Sequence, residues 1–556
     1  MQTVFGFAMH ALDDPRFYYL ANFHKALAWL AARYSDLFDE QEAAFVRRFS
    51  ELPLASQALL TRMIMRKGPH FRASKLRYEE IGCPRQAAEP LLVHGWVQHD
   101  SELSLAELFA YLRKDEILQH FGALLSTRTA NKPQLLEQLE PHLPGAQPLQ
   151  HWCPELDDPL LTLAIGELVD RLRLMFFGNL RQDWSEFVLS DLGIFRYEQV
   201  ELGADSRGFA QRADIDAYFH LWQCRQLFEA GEPLAEVIEQ IAQVHTDNPL
   251  LLERRGKLLF RIGQHLERQG ELEHALALYQ TSAYSEARQR QIRVLERSGL
   301  YAEAHALARQ AAEAPVNDAE AQLVARALTR LNRQLGLAKA SKPPAISAGL
   351  IELSLPYLGD YSVEQHVQLH LSEEQAPVHY VENTLICSLF GLLCWSAIYA
   401  PLPGAFFHPF HSGPVDLLRP DFSQRRATLF AECLGLLDSD AYKDRIRATY
   451  QAKFGIQSPF VFWGLLTEEL LEQALTCLPA THLRAWFQRL LRDIKANRAG
   501  MPDLIQFWPA EGRYRMIEVK GPGDRLQDNQ KRWLAFCAEH GMPVDVCYVQ
   551  WAEASA

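Results

Sequence analysis

The stretch GMPDLIQFWPAEGRYRMIEVKGPGD, residues 500–524, decides the fold of the C-terminal part of this chain. Leu504–Trp508 and Tyr514–Val519 are apolar runs that predict two strands, and the Pro and Gly between them predict a turn. Side chains alternate along a strand, so Glu518 and Lys520 project to one face, and the hairpin returns Asp503 beside them. The sequence therefore predicts two carboxylates and an ammonium in one cluster.

This set of side chains suits metal-dependent hydrolysis of a phosphodiester. Hard cations such as Mg²⁺ prefer carboxylate, water and phosphate oxygens, and an ammonium can orient water or stabilise charge on the phosphate. The bare spacing also fits an ordinary surface hairpin with a Glu–Lys pair. The surroundings favour the nuclease interpretation, because a predicted helix over Arg525–Glu539 and a predicted strand over Pro543–Val549 follow the hairpin.

The same residues resemble a known family. Gly-Met-Pro-Asp-Leu, then Ile-Glu-Val-Lys-Gly-Pro-Gly-Asp-Arg-Leu, is similar to the signature of the PD-(D/E)XK nucleases, and within them to the VRR-NUC domain of the Fanconi anaemia-associated nucleases. The resemblance implies that Asp503 and Glu518 are metal ligands, that the carbonyl of Val519 is a further ligand, and that Lys520 is the catalytic lysine. It implies Mg²⁺ or Mn²⁺, as one or two ions per site.

The family also uses a glutamate from an upstream helix. Tyr380-Val381-Glu382-Asn383-Thr384 opens an apolar helix in the matching context, so Glu382 is the candidate, although the helix dipole alone favours an acid in a first turn. The run that follows, Leu385 to Tyr399, is shorter than the ~20 residues of a membrane span. It is predicted to be a helix buried in the nuclease core.

A basic segment near the N-terminus is the best candidate for binding DNA phosphates. The net charge is −13, yet no acid occurs from Leu52 to Tyr78. From the charges alone, a solvated basic helix face is an equally good interpretation. The segment is similar to the N-terminal DNA-binding region of the same nucleases, which favours phosphate contacts. The cations of this segment are Arg62, Arg66, Lys67, Arg72, Lys75 and Arg77.

Two further helical regions precede the nuclease motif. Helical patterns from Leu103 and from Lys132, joined by a polar loop, look like a SAP module over about 101–141, with Arg128 and Lys132 as phosphate contacts; such helix pairs are also common in any helical domain. From about Phe209 to Gly336 the pattern resembles degenerate tetratricopeptide-type helix pairs. A stretch from about 338 to 347, rich in Ala, Ser, Lys and Pro, is predicted to be a linker.

The predicted fold is therefore multidomain and mostly α. It comprises an N-terminal DNA-binding region at 1–208, tetratricopeptide-like repeats and a linker at 209–350, and an α/β nuclease domain at 351–556. The 9 cysteines include no C-x-x-C pair, which argues against a disulfide framework and a zinc module. The apolar residues 4–9 lack a basic flank and do not resemble a secretory signal.

The resemblance implies a structure-specific nuclease that cuts branched DNA at a 5′ flap, acts as a 5′-to-3′ exonuclease and serves interstrand crosslink repair. No paired Cys or His ligands precede Phe17, so a ubiquitin-binding zinc finger is not expected. A bacterial, cytoplasmic member that associates with the nucleoid when bound to DNA is expected, with branched DNA as its partner. The alternatives are another PD-(D/E)XK endonuclease, such as a junction resolvase, and a non-catalytic repair scaffold.

Overall fold

The computed structural model describes residues 14–99, 101–191, 193–203, 206–338 and 348–552. Its contacts divide the chain into two compact units. One runs to Phe195 and includes Gly203–Ile215, and the other comprises Arg196–Leu202 and the chain from Asp216 onward. The predicted linker lies outside the described residues except for Ala338, and the apolar residues 4–9 also lie outside them.

The first unit is mainly helical, and side chains fix where several of its helices begin. Asp39 Oδ1 accepts the Glu42 N–H at 2.8 Å while Glu42 Oε2 accepts the Asp39 N–H at 3.0 Å, and the Ser104–Glu107 and Asn131–Gln134 pairs repeat this capping box. The helices are α1 Tyr18–Tyr34, α2 Glu40–Phe49, α3 Leu54–Ile64, α4 Pro84–Val93, α5 Leu105–Tyr111, α6 Lys114–Phe121, α7 Lys132–Leu139, α8 Leu149–Trp152, α9 Gly166–Phe177 and α10 Ser185–Asp191.

Short antiparallel strands join these helices. The strand β5 (Leu160–Leu163) lies between β1 (His70–Arg72) and β2 (Val97–Gln98), and β3 (Glu102–Ser104) pairs with β4 (Ala146–Pro148). The predicted helix-loop-helix near 101–141 is present, with α6 as an additional helix between its two members. These helices share one apolar core, which includes the buried leucines of α5 and α7.

The second unit begins with consecutive helices that pack in pairs, as the repeat pattern predicts. Glycine permits one close approach, because a Cβ on Gly263 would lie 2.8 Å from the Tyr279 ring. Gly270 ends a helix with φ 89°, a left-handed conformation that glycine adopts without strain. The helices are α11 Arg212–Ala230, α12 Leu234–Ala242, α13 Pro249–Gln269, α14 Leu272–Thr281, α15 Ala287–Arg297, α16 Tyr301–Glu313 and α17 Asp318–Gln334.

A five-stranded sheet, counted over the described residues, forms the centre of the predicted nuclease domain. The strand order is β6-β10-β9-β8-β7, in which β6, β10 and β9 are mutually parallel and β8 runs antiparallel to β9 and β7. The carboxyl ends of the parallel strands meet at one edge, where ligands of such sheets bind. The strands are β6 Gly349–Leu355, β7 Val378–Tyr380, β8 Leu504–Trp508, β9 Arg513–Lys520 and β10 Val544–Trp551.

Helices cover this sheet, and two of them differ from the sequence prediction. The run predicted as one helix over 385–399 is two helices that separate at Cys394, and the helix predicted from Arg525 begins at Asp528, where Gln527 caps it. The helices are α18 Val363–Leu371, α19 Leu385–Leu393, α20 Trp395–Ile398, α21 Phe422–Arg425, α22 Ala427–Gly435, α23 Ala441–Lys453, α24 Glu468–Cys477, α25 Ala480–Arg492, α26 Ile494–Asn497 and α27 Asp528–Glu539.

All of α19 is buried and contributes to the largest apolar core of this region. This agrees with the predicted role of the run as a core helix. In the part of the chain that the structure describes, no helix is long and apolar enough to cross a membrane.

Candidate active site

Asp503, Glu518 and Lys520 meet in a buried cluster at one end of the β8–β9 hairpin. Leu504 pairs with Ile517, so the residue before β8 lies next to Glu518. Lys520 Nζ lies 2.7 Å from Glu518 Oε1. The exposed fractions of Asp503, Glu518 and Lys520 are 6%, 0% and 8%. The structure thus brings together the three residues that the hairpin pattern singled out.

The carboxylate of Glu518 is only partly satisfied. Its Oε1 lies 2.7 Å from Lys520 Nζ, a contact that lowers the pKa of Glu518 against the larger effect of burial, whereas its Oε2 is buried with no partner among the described residues. Burying a carboxylate oxygen without a donor is costly, and native proteins rarely leave one unsatisfied. The unpartnered oxygen, next to the carboxylate of Asp503, therefore indicates a site for a positively charged ligand.

Asp503 is held by the backbone on both sides. Its Oδ2 accepts the Val519 N–H at 2.8 Å, and its carbonyl accepts the Val381 N–H at 2.8 Å. The first bond joins the carboxylate to the strand of Glu518 and Lys520, and the second joins its backbone to the segment just before Glu382. Val519 itself is buried between Glu518 and Lys520 on β9.

Glu382 lies in a turn between β7 and α19, not in the first turn of a helix as the sequence suggested. The helix begins only at Leu385, because Asn383 takes a left-handed backbone conformation with φ 55°. Glu382 Oε2 accepts the Tyr380 hydroxyl at 2.6 Å, and Glu382 Oε1 accepts the Asn383 amide at 3.1 Å. The side chain is thus oriented by one donor from the end of β7 and one from its own turn, and the helix dipole does not account for its position.

The electrostatics of the cluster favour protonation of its acids. Burial raises the pKa of Asp503 and of Glu518, and the charge of Glu382 adds to both effects. Lys520 and, for Asp503, the Val519 amide lower these pKa values only in part. Without an additional cation, the cluster therefore holds protons more tightly than ordinary carboxylates do.

These residues fit a divalent metal ion, although they do not form a closed cage. Over the described residues, no three His, Cys, Asp or Glu side chains are grouped tightly enough to enclose an ion by themselves. Mg²⁺ usually takes one or two carboxylates and completes its shell with water and substrate phosphate oxygens. The carboxylate of Glu518, whose Oε2 has no partner, and the neighbouring carboxylate of Asp503 match that partial donor set.

Glu364 is a further acid near the site that the sequence reasoning missed. It lies in the first turn of α18, and its charge contributes to raising the pKa of Asp503. The start of α18 is close to the end of β9, since a Cβ on Gly521 would lie 3.2 Å from Val363 Cγ2. An acid in a first helical turn is too common for the sequence alone to single it out.

Comparison with known proteins identifies the family. Three family models match: the VRR-NUC domain at residues 438–551, the FAN1, HTH domain at 17–98, and the Fanconi anemia-associated nuclease SAP domain at 102–152. The Fanconi-associated nuclease 1 homolog of Pseudomonas aeruginosa is 58% identical over 542 residues, which cover 97% of this chain and 97% of that protein. The chain belongs to the Fanconi-associated nuclease family.

A more distant relative and two solved structures support the same family assignment. Human Fanconi-associated nuclease 1 is 24% identical over an alignment that covers 96% of this chain and 62% of the human protein. The crystal structure of paFAN1 bound to 2nt 5′ flap DNA with gap superposes with a TM-score of 0.95 at 57% identity, and covers 98% of this chain and 100% of that chain. The crystal structure of paFAN1 bound to 1nt 5′ flap DNA with gap superposes with a TM-score of 0.92 at 57% identity, and covers 97% of this chain and 100% of that chain. The predicted family and fold class are confirmed.

In this member of the Fanconi-associated nuclease family, three of the six cations of the basic segment are engaged within the protein. Arg72 is 7% exposed and binds Glu116 at 2.6 Å and Asp158 at 2.7 Å. Its guanidinium is therefore engaged by two acids within the protein, and its DNA contact stays a prediction. Arg62 pairs with Glu80 at 2.8 Å, and Arg66 donates to the Lys75 carbonyl at 3.0 Å.

The other cations of the segment remain available. Lys67, Lys75 and Arg77 are exposed, and within the described residues their side chains form no hydrogen bond or ion pair. Lys75 and Arg77 line an open cavity of about 860 Å³, together with Arg85 and Arg113. The lining also includes Glu79, Asp157 and Asp158, so the unpaired cations Lys75 and Arg77, and not the cavity as a whole, are what suits a phosphate backbone.

The two predicted cations of the SAP-like module differ from each other. Lys132 donates to the Leu112 carbonyl at 2.9 Å, so its ammonium satisfies the C-terminal end of α5. Arg128 is exposed, and its one bond, to the Gly122 carbonyl, is long at 3.4 Å. Arg128 is therefore the better placed of the two for a phosphate contact.

Proposed function

We propose that this chain is a divalent-metal-dependent, structure-specific DNA nuclease that hydrolyses phosphodiester bonds of branched DNA at 5′ flaps. Exonuclease action in the 5′-to-3′ direction and interstrand crosslink repair belong to the same proposal. The buried carboxylate of Glu518, with Oε1 on Lys520 and Oε2 without a partner beside Asp503, is the observation that carries it. The flap complexes of the paFAN1 structures support the choice of substrate.

The cluster has a separate task for each side chain. Asp503 and Glu518, with Glu382 and the carbonyl of Val519, would hold one or two Mg²⁺ or Mn²⁺ ions, which when bound lower the pKa of an attacking water and stabilise charge on the phosphate. The Val519 amide fixes the orientation of Asp503 through a 2.8 Å bond. Lys520 stays close to Glu518 and presents its remaining N–H groups to the water or to a phosphate oxygen.

DNA binding is assigned to exposed cations of the first unit. Lys67, Lys75, Arg77 and Arg128 are the proposed phosphate contacts, with Arg62 and Arg66 as secondary ones because each already has a partner within the protein. Phosphate contacts position a nuclease on DNA without reading its sequence. We also propose the domain limits 1–208, 209–350 and 351–556 for this arrangement.

The decisive experiment is cleavage of a labelled 5′-flap DNA by the wild type and by Asp503→Asn. Each protein is assayed with Mg²⁺, with Mn²⁺ and with a chelator, beside four-way junction and plain duplex substrates. We expect flap-selective, metal-dependent cleavage that falls by more than ~10²-fold in the variant, because losing even a group that only orients a ligand typically costs 10–100-fold.

Asp545→Asn is the matched control. Asp545 lies on the same sheet, pairs with Ile517 in the strand register, and forms its ion pair with Arg515 at 3.3 Å, so it belongs to the face opposite Glu518. This variant should cleave as the wild type does. Preferential cutting of the four-way junction would indicate a junction resolvase, and cleavage that survives in Asp503→Asn would contradict the assigned site.

A further inference from the structure

Asn383 has an unusual backbone conformation next to a proposed metal ligand. Among the residues that the structure describes, it is the one non-glycine residue with positive φ, at 55°. This left-handed region is unfavourable for residues with a Cβ, and asparagine tolerates it better than most. Non-glycine residues in this region persist only where their surroundings fix them, and they cluster at functional sites.

The side chain of Asn383 joins two distant segments of the chain. Its Nδ2 donates to Glu382 Oε1 at 3.1 Å, and its Oδ1 accepts the Met501 N–H at 3.0 Å across 118 residues of sequence. A backbone N–H can only donate, so the oxygen of the amide must face Met501 and the nitrogen must face Glu382. The orientation of this amide is thereby fixed by chemistry.

Met501 is two residues before Asp503, and the Val381 N–H donates to the Asp503 carbonyl at 2.8 Å. The segment that carries Glu382 is therefore joined to the segment that carries Asp503 by one backbone bond and one side-chain bond. We infer that Asn383 is a positioning residue that sets the Glu382 carboxylate relative to Asp503. This inference rests on the proposed function, because it assumes that the two acids bind one metal centre.

A turn alone does not require asparagine at this position. Glycine adopts positive φ freely, so it would satisfy the backbone but lose both bonds of the amide. Tyr380 donates to the other oxygen of Glu382 at 2.6 Å, so the carboxylate is held from two sides. Fixing the orientation of metal-binding carboxylates by hydrogen bonds from outside the ligand set is a general requirement of metal sites.

Asn383→Gly removes the side-chain amide while the backbone can keep its left-handed conformation. Tyr380→Phe removes the second hydrogen-bond donor to Glu382. The first measurement is the Mn²⁺ affinity of the DNA-free full-length chain, from titration followed by the electron paramagnetic resonance signal of free Mn²⁺. The second is kcat and KM for a 5′-flap DNA at saturating Mn²⁺. Thermal unfolding of each variant reports whether it is folded. Asn317→Gly, which changes a helix cap in the repeat region, is the matched control.

We expect Asn383→Gly to bind Mn²⁺ about 10–100-fold more weakly and to lower kcat while KM for DNA stays unchanged, with unfolding close to that of the wild type. Tyr380→Phe should also weaken Mn²⁺ binding and lower kcat. Asn317→Gly should change neither the Mn²⁺ affinity nor kcat. Wild-type Mn²⁺ affinity and kcat in a folded Asn383→Gly would overturn the inference.

Glu382→Gln tests the underlying proposal separately. If it retains wild-type Mn²⁺ affinity, the assignment of Glu382 as a ligand fails. If it loses Mn²⁺ binding while Asn383→Gly does not, only the positioning role fails.

Discussion

Replacing Lys67, Lys75 and Arg77 together by alanine should reduce the salt dependence of DNA binding by a predictable amount. The basic segment contains six cations, and if all of them contacted phosphates they would contribute ~5.4 to the slope of log affinity against log salt, at ~0.9 per phosphate. Three of the six have partners within the protein. The three exposed cations should therefore contribute ~2.7.

The assay is fluorescence anisotropy of a labelled flap DNA at several salt concentrations, in the presence of Ca²⁺ to occupy the site in place of Mg²⁺. Arg85→Ala is the control, because Arg85 lines the same cavity but is already paired with Asp157 at 2.7 Å. Its slope should change by clearly less than ~0.9. Two results would refute the assignment of phosphate contacts to unpaired cations. One is an unchanged slope in the triple variant. The other is a decrease in the slope in Arg85→Ala that equals the decrease for each cation removed in the triple variant.

Three further predictions concern buried charge. Arg72→Ala should destabilise the first unit by ~3–5 kcal/mol in urea unfolding, because it leaves Glu116 and Asp158 uncompensated. Although burial opposes it, the bonds from Arg72 hold the pKa of Glu116 at about 2, so the stability from this pair is present above the ordinary pKa of 4.5 and should be lost as the pH falls towards 2 in thermal melts. Glu518→Gln should abolish cleavage yet raise the melting temperature of the metal-free protein at pH 8 to 9. Burial raises the pKa of Glu518 in the folded state above its ordinary value of 4.5, so wild-type stability falls as the pH rises from about 4.5 to the raised pKa, and the difference from the variant should vanish below pH 4.

The hairpin could be predicted from sequence because its signals are local. Alternation within β9 places Glu518 and Lys520 on one face, and the turn residues between the strands set which residues pair. Both properties depend on residues within a short window. The register that results brings Asp503 to Glu518 without help from the rest of the chain.

Glu382 and Arg72 show where this reasoning stops. A helix predicted through Glu382 fails because Asn383 is left-handed, and what stabilises that conformation is a bond to Met501, distant in sequence. Arg72 looks like its neighbours in the basic segment, yet its partners Glu116 and Asp158 are 44 and 86 residues away. A charge pattern does not reveal which cation will be paired inside the protein, because that depends on contacts between distant segments.

The buried cluster of Asp503, Glu518 and Lys520 destabilises the fold of its own region. Two carboxylates are buried together, Oε2 of Glu518 has no partner, and Lys520 compensates only one of the two charges. Such a group of like charges is retained only where the surrounding structure is stable enough to enforce it, and here the apolar core around α19 and the sheet provides that stability. Because the repulsion is strongest when no cation is present, binding of a cation should stabilise the folded nuclease region as well as prepare it for catalysis. The same poorly compensated carboxylates that weaken the metal-free fold are therefore, in the proposed function, the groups that would bind the metal.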